Sequence, residues 1–182
     1  MTSKVKIQNA RLAFPNLFVK DQYDRYGCTL ILEPDNPALA SIRKETKRLV
    51  DEEFKGKNPG SANNCLKSSE EKTDYPGFTK DNYYLNCNRK AAFKPNSLVR
   101  RDKTEIESAD ELYPGCYVNA VVEIWAQNNS YGKKINCGLL GLQFVKDGER
   151  FGRGAGSVSE DDFDELPELE DTSAGGSPED LF

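Results

Sequence analysis

The side chains that usually carry out catalysis are scarce in this sequence. Its 182 residues include no histidine, which removes the commonest general base, the usual serine and cysteine triads and every histidine-bearing metal site. The five cysteines, Cys28, Cys65, Cys87, Cys116 and Cys137, stand at least 21 residues apart. Without a C-x-x-C pair there is neither a zinc knuckle nor a dithiol redox motif, and free thiols in a reducing compartment are expected. Glu123 and Asp147 are isolated carboxylates, and no G-x-x-x-x-G-K phosphate cradle occurs. No metal, no cofactor and no enzymatic activity are therefore expected.

What the sequence does supply is cationic side chains interleaved with aromatic ones. Tyr23 precedes Arg25, and Tyr84 leads into Arg89, Lys90, Phe93, Arg100 and Arg101. Trp125 and Tyr131 come just before Lys133 and Lys134, while Lys4 and Lys6 open the chain. The charges are also segregated. The 25 Lys and Arg against 30 Asp and Glu give a net charge of −5. Ten of the acidic residues lie between Ser159 and Phe182, which holds no base, so residues 1–158 carry 25 basic and 20 acidic groups, a net of +5. The acidic stretch contains Pro167, Pro178 and Gly175-Gly176 and has no apolar period, so it is expected to be a disordered tail. Its last residues, Glu179, Asp180, Leu181 and Phe182, read as a short docking peptide on a flexible tether, against the simpler account of a solubilising tail.

The elements that must position these groups are mostly strands. Val5 and Ile7 alternate with Lys4 and Lys6, and Tyr26, Cys28, Leu30 and Leu32 alternate with Arg25, Gly27, Thr29 and Ile31. Phe14-Pro15 is expected to break the first strand. Asp35 or Asn36 caps a helix over about 36–55, with Pro37 in its first turn, an apolar stripe of Leu39, Ile42, Leu49, Val50 and Phe54, and Gly56 as its stop. Residues 57–81 lack any period and read as a long mobile connection. Tyr83, Leu85 and Cys87 share one face of the next strand. A long hairpin over about 116–145 then places Val118, Ala120, Val122 and Ile124 inward and Trp125 on the mixed outer face. Gly138 and Gly141 mark bends or a bulge, and Gly152-Arg153-Gly154-Ala155-Gly156 marks the end of the folded part. The expected fold is mainly β: an OB-fold-like five-stranded barrel over residues 1–156 with one inserted helix, followed by an acidic tail over 157–182. No apolar run is long enough to span a membrane, and no signal segment is evident, so a cytoplasmic protein is expected.

Three segments, Arg11-Leu12-Ala13-Phe14-Pro15-Asn16-Leu17-Phe18, Tyr113-Pro114-Gly115-Cys116-Tyr117-Val118, and Asn136-Cys137-Gly138-Leu139 with Gln143 to Arg150, occur in the order seen in a known family. Over about residues 4–154 the chain resembles the phage-encoded single-stranded-DNA-binding proteins, which are related in fold to the replication binding protein of T-odd coliphages. The resemblance implies an OB-fold that coats single strands in phage replication, recombination and repair in the host bacterial cytoplasm. It also implies an acidic C-terminus that contacts other replication proteins. A sequence-blind binder can use only phosphate charge and the faces of bases. The stacking candidates are accordingly Tyr23, Tyr84, Phe93, Trp125 and Tyr131, each competing with a role in packing. The phosphate candidates are Lys4, Lys6, Arg25, Arg89, Lys90, Arg100, Arg101, Lys133 and Lys134. Glu179, Asp180, Leu181 and Phe182 are the expected partner-binding residues. The alternative is a protein-binding module or a DNA mimic acting on a host DNA-processing enzyme. Self-association is left open.

Overall fold

The computed structural model describes residues 3–90 and 97–151, and its strands follow the alternating segments closely. Seven strands are present: β1 (Ser3–Asn16), β2 (Arg25–Leu32), β3 (Leu66–Ser68), β4 (Tyr83–Lys90), β5 (Ser97–Val99), β6 (Tyr117–Asn129) and β7 (Gly132–Lys146), with one α-helix among the described residues, α1 (Ala38–Glu53). β1 pairs antiparallel with β2 and β6, β2 with β4, and β6 with β7. A parallel contact between Asn88 on β4 and Gly138 on β7 joins the two ends. The ring β1-β2-β4-β7-β6 is the five-stranded Greek-key barrel of the OB type, as expected. β3 extends β4 at one edge and β5 runs beside β7 at the other.

Period-2 alternation fills the barrel. Val5, Ile7, Leu30, Leu32, Leu85, Cys87, Val118, Ala120, Val122 and Ile124 are all buried. α1 packs on β1 and β6 through the stripe the sequence predicts, Leu39, Ile42, Leu49 and Phe54. Its start is fixed by Asn36, whose side-chain oxygen accepts from the Ala38 N–H at 2.9 Å while its amide donates to the Gln8 carbonyl at 2.9 Å. One side chain thus satisfies an orphan helical donor and ties the helix to β1. At the other end Gly56, with φ +80°, donates its N–H to the Val50 carbonyl at 3.0 Å and closes the last turn. The basic outer face is partly neutralised within the helix, where Arg48 pairs with Glu45 at 3.0 Å and Glu52 at 2.7 Å.

Two expectations are corrected. β1 does not stop at Phe14 but continues to Asn16, because the chain absorbs register shifts between Ile7 and Ala10 and between Ala13 and Asn16 without losing its partners. Asn9 and Phe14 take positive φ angles of 55° and 46° at these shifts. The second shift leaves the Phe14 side chain 54% exposed. The segment 57–81 is structured as well. Asn58, Asn64, Ser68 and Asn82 each accept a nearby backbone N–H at 2.8–3.2 Å, the Cys65 N–H donates to the Ile135 carbonyl at 2.9 Å, and Cys65 and Phe78 are buried. Local side-chain-to-backbone bonds hold this stretch, and such bonds produce no hydrophobic period.

The hairpin matches its expected span. Its turn is Ser130-Tyr131 between the paired Asn129 and Gly132. An extra residue, Leu140, sits between Gly138 and Gly141, where the glycines marked a bulge. A Cβ on Gly141 would lie 2.7 Å from the Ser97 carbonyl oxygen, so β5 can approach only because that position is glycine. After β7, Arg11 staples the chain: its guanidinium donates to the Gly115 and Glu149 carbonyls at 3.0 and 2.8 Å and lies 4.3 Å from the Phe151 ring centre. The expected linker 152–156 and the acidic tail fall outside the described residues.

Candidate nucleic-acid interface

Strand parity decides which side chains share the outside of the barrel. On β2 and β4 the outward pairs run Arg25 with Lys90, Gly27 with Asn88, Thr29 with Asn86, and Ile31 with Tyr84. On the hairpin, Glu123 faces Gly138, Trp125 faces Asn136, and Gln127 faces Lys134. Because β4 meets β7, these two rows form one surface. It is hollowed into a groove of about 710 Å³ whose lining includes Arg25, Lys67, Asn86, Asn88, Arg89, Lys90, Trp125, Lys134 and Asn136. Five sequence candidates, Arg25, Arg89, Lys90, Trp125 and Lys134, thus converge from three separate stretches of chain. Gly27 is required here: a Cβ would lie 2.4 Å from the Cys87 carbonyl oxygen.

A neighbouring groove of about 740 Å³ is lined by Lys4, Lys6, Lys103, Asn119 and Gln143, and Arg89 and Glu123 line both grooves. Their ion pair, Arg89 Nη1 to Glu123 Oε2 at 3.3 Å, marks the boundary between the two. Tyr23 is 66% exposed with the Arg25 guanidinium 5.0 Å from its ring centre, and Tyr131 is 83% exposed at the hairpin turn. An exposed ring in a cationic setting is what base stacking requires, and Trp125, 36% exposed, meets the same condition.

Other candidates are placed elsewhere. Tyr84 is buried, with the Phe78 ring edge-on at 5.6 Å, and burial raises its phenol pKa. Its face is covered by the 57–81 segment that the sequence leaves without structure. Arg100 donates to both oxygens of Glu111, at 2.6 and 2.8 Å, and to the Glu105 carbonyl at 2.8 Å. Arg101 donates to the Val145 carbonyl. Neither arginine lines either groove; the two fasten the loop after β5. Lys133 lies on the opposite strand face from Lys134, with its ammonium 5.9 Å from the ring centre of Phe54, the residue that caps the C-terminus of α1. Phe93, Glu179, Asp180, Leu181 and Phe182 lie outside the described residues.

Sequence reasoning missed three side chains. Lys67 enters the main groove from β3. Phe14 and Tyr75 form an aromatic cluster with Phe78 and Tyr84, with ring centres 5.8 Å apart for Phe14–Tyr75 and 6.0 Å for Phe14–Phe78. The aromatic content of 57–81 was visible, but its position against β1 was not.

All five cysteines are free and buried, with Cys87 and Cys137 Sγ atoms 3.5 Å apart. Burial pushes the Cys87 and Cys137 thiols well up, hydrogen bonding to Cys87 does so for Cys28, and burial raises Cys116 to about 11. Protonated thiols are poor nucleophiles.

Comparison with known proteins identifies the family. The family described as "Enterobacter phage Enc34, ssDNA-binding protein" matches residues 3–173. The chain belongs to this family. A relative from Acyrthosiphon pisum secondary endosymbiont phage 1, "Putative protein p50", is 31% identical over 183 residues, covering 92% of this chain and 96% of that one. The solved single-stranded-DNA-binding protein of bacteriophage Enc34 in complex with ssDNA is 23% identical, with a TM-score of 0.72 over 82% of this chain and 89% of that chain. The bacteriophage T7 single-stranded-DNA-binding protein gp2.5 shares the fold at 10% identity, with a TM-score of 0.52 over 87% of this chain and 97% of that one. The Enc34 family and these solved neighbours are DNA-binding proteins, not enzymes. No helix among the described residues is long and apolar enough to cross a membrane.

Proposed function

We propose that this chain binds single-stranded DNA without sequence preference and coats it during phage DNA replication, recombination and repair in the host cytoplasm. The observation that carries the reading is the main groove, where Arg25, Lys67, Arg89, Lys90 and Lys134 surround the half-exposed Trp125. The cations neutralise phosphates and release counterions, and the indole offers a stacking face worth ~1–3 kcal/mol per base. Asn86, Asn88 and Asn136 carry amides that both donate and accept, so they accommodate any base edge. Membership of the Enc34 family supports the same ligand. The test is titration with oligothymidine, read by gel shift and by Trp125 fluorescence. Quenching with a salt-sensitive shift is expected. Failure of both at low salt would remove the reading and favour a protein-binding or DNA-mimic role.

Residues 1–156 are the binding domain in this proposal, and 157–182 form an acidic tail. The tail competes with DNA for the groove and, through Glu179, Asp180, Leu181 and Phe182, contacts replication or recombination proteins. As a flexible coil, the 24 residues from Ser159 to Phe182 span a root-mean-square distance of roughly 25–30 Å. Tethering at ~mM effective concentration lets ten carboxylates compete without tight binding. Phe151, the last described residue before the tail, packs on Gly77 beside the aromatic cluster.

A further inference from the structure

We infer that Phe14 and Tyr75 form a second stacking station, which takes bases of the same single strand that fills the main groove. The inference rests on the single-strand-binding reading and adds the strand's onward path. Asn86 and Asn88 line the main groove and also a smaller hollow of about 360 Å³ that reaches Phe14 across Gly27 and Thr29. The outer face of β2 and β4 is therefore a continuous strip, with Lys90 and the Arg25–Asp21 pair (3.7 Å) at one end, a polar middle, and an aromatic end where Phe78 covers Ile31 and Tyr84.

Neither exposed ring is explained by stability. Phe14 is 54% exposed and Tyr75 is 42% exposed, although each has buried Phe78 as a neighbour at 6.0 and 6.3 Å. Phe14 also holds φ at +46°, a backbone region that bulky residues disfavour. Strain together with an exposed apolar ring is the pattern of a functional position. The Phe14 and Tyr75 rings meet edge-on at 80°, and the exposure of both leaves ring surface open to solvent for a base to lie against. The Lys72 ammonium lies 5.5 Å from the Tyr75 ring centre and supplies a cation beside it. A binder that must tolerate any base is served by rings spaced along the backbone path, each taking a base face without reading its edge.

The experiment compares oligothymidines of about 4 and about 16 nucleotides, spanning the usual site sizes of such barrels, on full-length wild type, F14L, Y75L, the double variant and W125A. Leucine keeps apolar cover over Phe78 and removes only the π-face, and thermal denaturation confirms folding. F14L and Y75L should each weaken the long oligomer about 5- to 100-fold and leave the short one unchanged, whereas W125A should weaken both. Photo-crosslinking of the long oligomer carrying 5-iododeoxyuridine should label Phe14 or Tyr75. Unchanged long-oligomer affinity in the folded double variant would overturn the second station. So would labelling absent from both rings, or an effect of the leucine variants that disappears when residues 159–182 are deleted, which would assign the rings to the tail. If wild type binds neither oligomer, the parent reading fails instead.

Discussion

Glu123 is the one carboxylate among the residues lining the two grooves, and it sits opposite Gly138 with Arg89 at 3.3 Å. A phosphate passing this point meets a half-neutralised arginine and a negative charge. Replacing the carboxylate by its amide, E123Q, keeps the shape and removes the repulsion. The expected result is single-strand affinity higher by about two- to tenfold at low salt, converging on wild type as salt rises, in fluorescence anisotropy. Weaker binding would show that Glu123 orients Arg89 for the phosphate. The thiols give a second prediction at this scale. Folding raises Cys116 from 9.0 to about 11 and raises Cys28, Cys87 and Cys137 in the same direction. Above pH 9 the unfolded chain loses these protons first. The stability they contribute is therefore complete below about pH 9 and lost as pH rises toward 11. The urea midpoint should fall over that window, and less steeply in C116A; a midpoint flat to pH 10 would refute the linkage.

The strand is the element that sorts neighbours into opposite roles. Lys133 and Lys134 are adjacent in sequence, yet only Lys134 reaches the groove, because successive β residues point to opposite faces. K134A should weaken binding several-fold and reduce the salt slope by about 0.7, while K133A should leave both near wild type. Equal effects would mean that the hairpin tip is used from both sides. On β2, a Cβ added to Gly27 would collide with the Cys87 carbonyl oxygen at 2.4 Å. G27A should cost on the order of 2 kcal/mol, read in urea denaturation, because a backbone oxygen cannot move aside as a side chain can. The five barrel strands and the helix were legible because burial on one face imposes a period, whereas the three-residue β3 and β5 are too short to show one. The 57–81 segment was not legible either, since asparagine and serine side chains satisfy its backbone locally.

At the scale of the molecule, the +5 body and the ten-carboxylate tail are covalently joined, so in the proposed function each DNA titration is also a competition. Deleting residues 159–182 should tighten single-strand binding at low salt by about tenfold or more and relax discrimination against duplex, with the difference shrinking at high salt. Identical salt titrations for truncated and full-length protein would exclude competition by the tail.

By itself, the sequence determined the class of this protein. The missing histidines weaken most catalytic readings, and the period-2 segments and the split of charge point to a small β-barrel with a basic body, because composition and periodicity are properties of the chain alone. Only the tertiary structure decided which aromatics are open and which cations are committed. Tyr84 is covered by a segment 6 residues upstream at Phe78, Arg100 is taken by Glu111, and Phe14 and Tyr75, 61 positions apart, touch. Exposure and pairing depend on what packs from elsewhere in the chain, and no local pattern carries that information.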